Sequence, residues 1–190
     1  MTKLLEINKN HKKLDDSYFD NYGGDTYSKV YIDFTIHPKT VIDQLVANNI
    51  YFESLLDVGC ASGEIVKDFR GLGIRAYGIE NNSKILKNCV VPQFCEKMDM
   101  KDMKSIKDNT FDVIYTNSLM YLFPQEIKKT LDEFYRISKI AVYLCVPFLD
   151  ETTKFSDPYR VFLGSRTWWR DQFENSKFKK ISDSIYRKTP

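Results

Sequence analysis

The chain has 190 residues, 43% of them hydrophobic, enough for one domain with a sizeable core. Lys+Arg 28 against Asp+Glu 26 leaves a net charge of +2, which argues against a strongly electrostatic nucleic-acid binder. The longest apolar run, IAVYLCVPFL, is too short to span a bilayer, and MTKLLEINKN shows no signal peptide. The four cysteines, Cys60, Cys89, Cys95 and Cys145, form no CxxC pair, and the two histidines, His11 and His37, lie far from them in sequence. The pattern speaks against a zinc site and for reduced, mostly buried thiols in a cytoplasmic protein.

In chain order, HPKTVIDQLVANN reads as a helix, with Pro38 in its first turn and an apolar face of Val41, Ile42, Leu45 and Val46. SLLDVG is a buried strand. GEIVKDFRGLG is a short helix with Gly71 as its C-cap. RAYGIE is a second strand, after which Ser83 is placed to cap the helix KILKNCV. FCEKMDM is a weaker third strand and FDVIYTN a fourth, with KDNT as the turn before it. PQEIKKTLDEFYRISK carries Ile127, Leu131, Phe134 and Tyr135 on one stripe and is the clearest helix. IAVYLCVP is a fifth strand, SRTWWRDQFENS a last helix, and FKKISDSIY a last strand. Apolar strands alternating with helices predict an α/β fold: a doubly wound, mostly parallel sheet with helices on both faces. Its ligand is expected beyond the carboxyl ends of the strands, where the strand order reverses. The short tail suggests a C-terminal hairpin reduced to one strand and a stub.

The stretch SLLDVGCASGEI, a strand followed by a small-residue turn and a helix start, brings backbone close to a ligand. A P-loop would need Gly and Lys where Glu64 and Ile65 stand. The dinucleotide pattern GxGxxG meets Gly59, Ala61 and Glu64, so a carboxylate would face the pyrophosphate. S-adenosylmethionine (SAM) has no phosphate and carries a sulfonium and an ammonium. Asp57, Glu64, Glu80 and Asp99 suit such a ligand better than a phosphate. Glu80 ends its strand where an acid can accept both ribose hydroxyls, and Asp99 and Met100 end the next, within reach of an adenine.

Together LLDVGCASG, YGIEN, MDM and FDVIYTNSLMYL, in this order and spacing, resemble the successive motifs of class I SAM-dependent methyltransferases. The match spans roughly Tyr51 to Pro147. SRTWWRDQF more loosely resembles the helix before the final hairpin of small enzymes of the ubiquinone/menaquinone-methylase type. The resemblance implies a Rossmann-like fold and a cofactor site in which Asp57, Gly59, Ala61 and Gly63 frame the methionine moiety of SAM. Glu80 would hold the ribose, Asp99 and Met100 the adenine, and the Asn117 backbone the methionine amino end, with Cys60 and Asn81 as neighbouring members. Ala61 stands where relatives carry a glycine. SLMYLFP lacks the Glu-His pair many relatives have after the fourth strand, so no catalytic base carries over. No Asn/Asp-Pro-Pro-Tyr sequence is present, which disfavours DNA adenine methylation.

The expected organisation is one domain over 1–190: an N-terminal lid or extension over 1–36, a cofactor-binding core over 37–147, a cleft loop over 148–164, and a last helix and strand over 165–190. The two long loops offer Tyr22, Tyr27, Tyr159 and Arg160, and the fourth strand's exit offers Tyr121, as acceptor-binding candidates. Arg160 either contacts the acceptor or pairs on the surface with Asp157 or Asp150. The leading expectation is a methyltransferase that converts SAM to S-adenosylhomocysteine and methylates a small molecule, as a monomer or homodimer, without metal or membrane. The alternatives are a non-catalytic SAM-binding subunit or regulator, and an RNA or protein methyltransferase.

Overall fold

Ser54–Val58 is buried at every position, and this run forms β2, a central strand of the main sheet. The protein is described by a computed structural model covering residues 3–15, 18, 36–152 and 157–190. Tyr22 and Tyr27 lie outside the described residues. Beside β1 (Leu5–Ile7), β2, β3 (Arg75–Glu80), β4 (Cys95–Lys97), β5 (Phe111–Thr116) and β6 (Ser138–Leu144), the described strands are β7 (Phe162–Gly164), β8 (Phe178–Lys180) and β9 (Ile185–Lys188). The helices are α1 (Pro38–Ala47), α2 (Glu64–Gly71), α3 (Ser83–Leu86), α4 (Pro124–Ile137) and α5 (Arg166–Asn175).

The main sheet has seven strands in the order β4-β3-β2-β5-β6-β9-β8. Strands β4 to β6 run parallel, while β9 pairs antiparallel with both β6 and β8. The chain moves outward from β2 to β3 and β4, then returns to lay β5 on the other side of β2. The order therefore reverses between the carboxyl ends of β2 and β5, the position at which such sheets bind ligands.

Alternation along the strands builds one core on each face of the sheet. Leu56, Val58, Ile114 and Val142 pack with Ile127, Leu131 and Phe134 of α4 and Trp169 and Phe173 of α5. Leu55, Val113, Tyr115 and Tyr143 pack with Val41 and Leu45 of α1 and Ile65, Val66 and Phe69 of α2. Trp169 is core, and Trp168 lies half-buried against Phe162.

Several local expectations need correction. FKKISDSIY is two strands: Ser182 Oγ accepts the Ile185 N–H at 3.1 Å and the chain reverses there. The C-terminal hairpin is present, and Phe173 stacks on Tyr186 beneath it with centroids 3.8 Å apart. Gly71 is inside α2, and the left-handed residue after that helix is Gly73, at φ +87°. Asn82, not Ser83, caps α3, because its side chain accepts the N–H groups of Lys84 and Ile85 at 2.8 and 3.2 Å. Helix α3 spans only Ser83–Leu86, shorter than KILKNCV.

A second, two-stranded sheet was not foreseen. β1 pairs antiparallel with β7, Leu5 opposite Gly164 and Ile7 opposite Phe162. The zipper continues as Asn8 N–H donates to Val161 O at 2.9 Å and Lys12 N–H to Pro158 O at 2.8 Å. The late segment is also tied to the exit of β5, where Val161 N–H donates to Met120 O at 2.9 Å.

At the opposite end of the sheet, Asp112 joins β5 to β2. One carboxylate oxygen accepts the N–H groups of Glu53 and Ser54 and the Ser54 hydroxyl at 3.0, 2.9 and 2.8 Å, and the other accepts Lys139 Nζ at 2.9 Å. Burial pushes this carboxyl upward, but Lys139 and the Glu53 and Ser54 donors outweigh it and hold the pKa at about 2. A depressed folded pKa gives stability that is present above the unfolded value, about 4, and is lost as pH falls toward about 2. Asp112→Ala should cost about 1.5–3 kcal/mol at neutral pH. Asp112→Asn should flatten the stability profile between about pH 4 and 2, read from denaturation midpoints across pH.

Candidate functional site

Three residues of the turn after β2 have left-handed backbone: Gly59 at φ +82°, Ala61 at +48° and Gly63 at +77°. The N–H groups of Gly59 and Cys60 both donate to Ile79 O, at 2.9 and 3.0 Å, so the turn folds over the end of β3. A Cβ at Gly59 would lie 2.7 Å from Ser118 Cβ and run into Ser118 Oγ, so no side chain fits there. Ser118 Oγ and Thr116 Oγ1 each donate to Val58 O, at 2.8 and 3.0 Å, and lock the exits of β2 and β5 together. Gly63 caps α2, accepting Lys67 N–H at 2.9 Å.

Two acids flank this turn. Asp57 is 1% exposed, and its Oδ2 has no hydrogen-bond partner. Burial pushes its carboxyl well above the usual range, with Cys95 and Glu80 adding to the effect. Glu80 ends β3; its Oε1 accepts Asn82 N–H at 2.9 Å and its Oε2 accepts Ala61 N–H at 3.2 Å. Burial raises the Glu80 carboxyl, and the N–H groups of Asn82, Ala61 and Asn81 act against that. The bond from Ala61 offsets strain, since a left-handed non-glycine residue costs roughly 1–2 kcal/mol. The two acids thus sit at the carboxyl ends of adjacent strands, beside the glycine turn.

Past β4, Asp99 Oδ1 accepts Lys101 N–H at 2.9 Å in a tight turn. Met100 Cε lies 3.8 Å from where a Gly59 Cβ would be, so the MDM segment reaches back to the glycine turn. Asn117 is half-buried between Thr116 and Ser118 at the strand-order reversal.

Across the cleft, Tyr121 Oη donates to Asp157 Oδ2 at 2.6 Å, and Tyr159 N–H donates to Asp157 Oδ1 at 2.8 Å. Burial pushes the Tyr121 hydroxyl well up, with Tyr18 and Asp157 adding to it, so Tyr121 stays a protonated donor. Tyr159 is buried. Arg160 does face Asp157, with Nε 4.0 Å from Oδ2, but as an inward pair whose side chains are each 13% exposed, not as a surface pair. Asp150 is taken by Arg166, whose N–H it accepts at 2.8 Å.

Sequence reasoning missed Tyr18, Ser118 and Thr116, and foresaw Asp157 only as a surface partner of Arg160, not as the acceptor of the Tyr121 hydroxyl. Tyr18 packs against Ala61 and Ile85 on the turn side. It also meets Tyr121 and Tyr159 edge-on, centroids 5.9 and 4.9 Å apart, and donates to Tyr121 Oη at 3.3 Å. It spans the cleft from the glycine turn to the late loop. No local motif marks Tyr18; the hydroxyls of the TNS run were the available signal for Thr116 and Ser118.

Residues 56–146 match the family model described as a methyltransferase domain. Among solved structures, the chain is similar to one in the complex between the Haloferax volcanii Trm112 methyltransferase activator and a candidate methyltransferase. That match has 19% identity over 87% of this chain and 77% of the other, with a TM-score of 0.67. It is also similar to a SAM-dependent methyltransferase from Archaeoglobus fulgidus, at 21% identity over 81% and 75% of the two chains, TM-score 0.62. The PH0226 protein of Pyrococcus horikoshii matches at 15% identity over 92% and 99%, TM-score 0.59. No curated protein matches this chain in sequence. Among the described residues, no helix is long and apolar enough to cross a membrane, and no group of His, Cys, Asp and Glu could hold a metal ion. Residues 56–146 thus match a methyltransferase domain, and the seven-stranded, mostly parallel sheet has the Rossmann-like fold of the solved methyltransferases that this chain resembles.

Proposed function

We propose that this protein is an enzyme that transfers a methyl group from SAM to a small-molecule acceptor. The observation that carries the reading is the acid pair beside the glycine turn: Asp57 with its orphaned Oδ2, and Glu80 bound to the turn through Ala61. A buried carboxyl without a partner is stabilised in its charged form by a cation, and a phosphate would only hold it neutral. When bound, SAM supplies a methyl group on a positively charged sulfur that needs no further activation.

The chain's own residues then bind and orient. Asp57 takes the methionine end, its carboxyl giving up its proton as the ammonium arrives. Glu80 uses the lone pairs left by Ala61 and Asn82 to accept the ribose hydroxyls, with Asn81 alongside. Asp99 and Met100 border the adenine, and the Asn117 backbone faces the amino end. Gly59, Cys60 and Gly63 keep the wall of the site low. Positioning of this kind supplies up to about 7–11 kcal/mol of a reaction barrier.

Tyr121, Tyr159, Arg160 and Asp157 form the acceptor side, and Tyr18 closes the gap between the two sides. Tyr121, protonated and held by Asp157, donates to or orients the acceptor's polar group. Their burial and small separation suit a small polar molecule better than a long polymer.

Incubation with methyl-labelled SAM and a mixture of small metabolites should label a low-molecular-weight product. Label found only in RNA or protein added as competitor would overturn the acceptor class, and no transfer at all despite SAM binding would leave a binding subunit. Calorimetry should show SAM and S-adenosylhomocysteine binding with no comparable affinity for NAD. Glu80→Ala should weaken that binding by about 1.5–3 kcal/mol.

Asp57→Asn separates stability from binding. A raised folded pKa means the carboxyl destabilises the free protein as pH rises from the unfolded value, about 4, toward the folded one. The amide removes that burden, so the melting temperature at neutral pH should rise while SAM affinity falls about tenfold or more. Tyr121→Phe should lower acceptor kcat/KM by about tenfold, about 1.4 kcal/mol, and leave the SAM dissociation constant nearly unchanged.

A further inference from the structure

Three of the four cysteines converge on one flank of the glycine turn. Cys60 lies in the turn, Cys89 follows α3, and Cys95 opens β4. Cys95 is the register partner of Gly78 across the β3–β4 pair, and Cys60 Sγ covers that same glycine, 2.6 Å from where its Cβ would be. A Cβ at Gly63 would lie 2.8 Å from Cys89 Sγ and 2.9 Å from Cys95 Sγ. Two sulfurs so near one point are neighbours, and they cradle the residue that caps α2 and closes the turn. The cluster is a free-thiol site: all three cysteines are unpaired, and the described residues hold no metal-binding group.

The cluster is polarised. The neighbouring Cys60 thiol, and to a lesser degree that of Cys89, lower the Cys95 thiol to about 7 against the opposing effect of burial. Cys60 is pushed far up by its neighbour Cys95 and by burial, and Cys89 is pushed up to about 11, chiefly by burial. The acids beside the cluster include Asp57, Glu80 and Glu64, which oppose a thiolate, and the neighbouring thiols favour the Cys95 anion. Cys60 is buried, whereas Cys89 and Cys95 are half-exposed and open to a small reagent. A nucleophilic, accessible thiol beside a second one is the arrangement of a redox-responsive pair.

We propose that Cys89 and Cys95 are a peroxide-responsive thiol pair whose oxidation to a disulfide distorts the Gly63 turn and weakens cofactor binding. The Cys95 thiolate attacks one oxygen of hydrogen peroxide; the O–O bond breaks, hydroxide leaves and is protonated to water, and Cys95 becomes a sulfenic acid. The Cys89 sulfur, giving up its proton, then attacks the Cys95 sulfur, and the S–O bond breaks to release a second water. Two thiols lose two electrons in total and one peroxide becomes two waters. Closing the bond draws the Cys89 segment toward β4. That segment is fastened to the turn, because Val90 N–H donates to Ser62 O at 2.9 Å. The disulfide itself stands on the thiol geometry alone; its effect on SAM rests on the function proposed above.

The test oxidises the intact protein with hydrogen peroxide, maps it by mass spectrometry under non-reducing conditions, and measures S-adenosylhomocysteine affinity before and after. The expected result is a Cys89–Cys95 crosslink reversed by dithiothreitol, with affinity falling about tenfold or more and recovering on reduction. In Cys89→Ser, Cys95 should be trapped by dimedone as a sulfenic acid with no crosslink. Iodoacetamide should label Cys95 with a midpoint near pH 7, and Cys60→Ala should move that midpoint upward. No crosslink, a Cys60–Cys95 crosslink, or a Cys95 labelling midpoint no lower than that of Cys145 would overturn the pair. A crosslink with unchanged affinity would overturn its effect on the turn. If the reduced protein binds no S-adenosylhomocysteine while the crosslink forms, the cofactor assignment fails and the thiol pair stands.

Discussion

The site depends on one steric constraint: Gly59 has no room for a side chain, because Ser118 occupies the space its Cβ would take. Ser118 is there because its hydroxyl, with that of Thr116, donates to Val58 O. This closes the exits of β2 and β5 against each other at the point where the strand order reverses. The turn is then forced up and over the end of β3, where Ile79 O receives the N–H groups of Gly59 and Cys60. Substituting Gly59 would separate two strands before it affected a ligand. The local backbone and the sheet's topology are one arrangement seen at two scales.

Electrostatics decides what such a turn is for. The same strand–turn–helix geometry in a phosphate site leaves N–H groups facing an anion. Here Glu80 has taken the Ala61 N–H, and Asp57 stands buried beneath with an orphaned oxygen. Burial pushes both carboxyls up; backbone N–H groups offset part of that at Glu80, while Asp57 Oδ2 has no partner. Perturbed, underused acids of this kind belong to functional sites more often than to structural ones. The mirror case is Asp112, at the far end of the same strands, whose donors hold its pKa down at about 2 in a purely structural clasp.

The proposed acceptor side is assembled from pieces far apart in the chain. β1 pins the N-terminal segment to β7, and Val161 fastens the late segment to Met120. These two ties bring Tyr18, Tyr121 and Asp157 together over the glycine turn. Residues 5–12 and 158–164 thus share one structural unit.

The alternating strands and helices, the two-sided burial and the position of the glycine turn were legible in the sequence. Each rests on a local rule: apolar periodicity, a capping residue, or backbone that only a small side chain permits. SLLDVGCASGEI, the terminal acid of RAYGIE and the stripe of PQEIKKTLDEFYRISK carry that information within a dozen residues. The C-terminal hairpin was missed because Phe178–Lys180 and Ile185–Lys188 are each too short to show a period. Asn82 was passed over for Ser83 because either residue type caps a helix, and which one does depends on where β3 lets the chain go. Asp157 was foreseen only as a surface partner of Arg160, and Tyr18 and the convergence of Cys60, Cys89 and Cys95 had no signal at all. Those groups meet through a strand pairing between Leu5–Ile7 and Phe162–Gly164 and through the β3–β4 register. Contacts across such sequence distances are set by how the elements pack, and only the tertiary structure decides that.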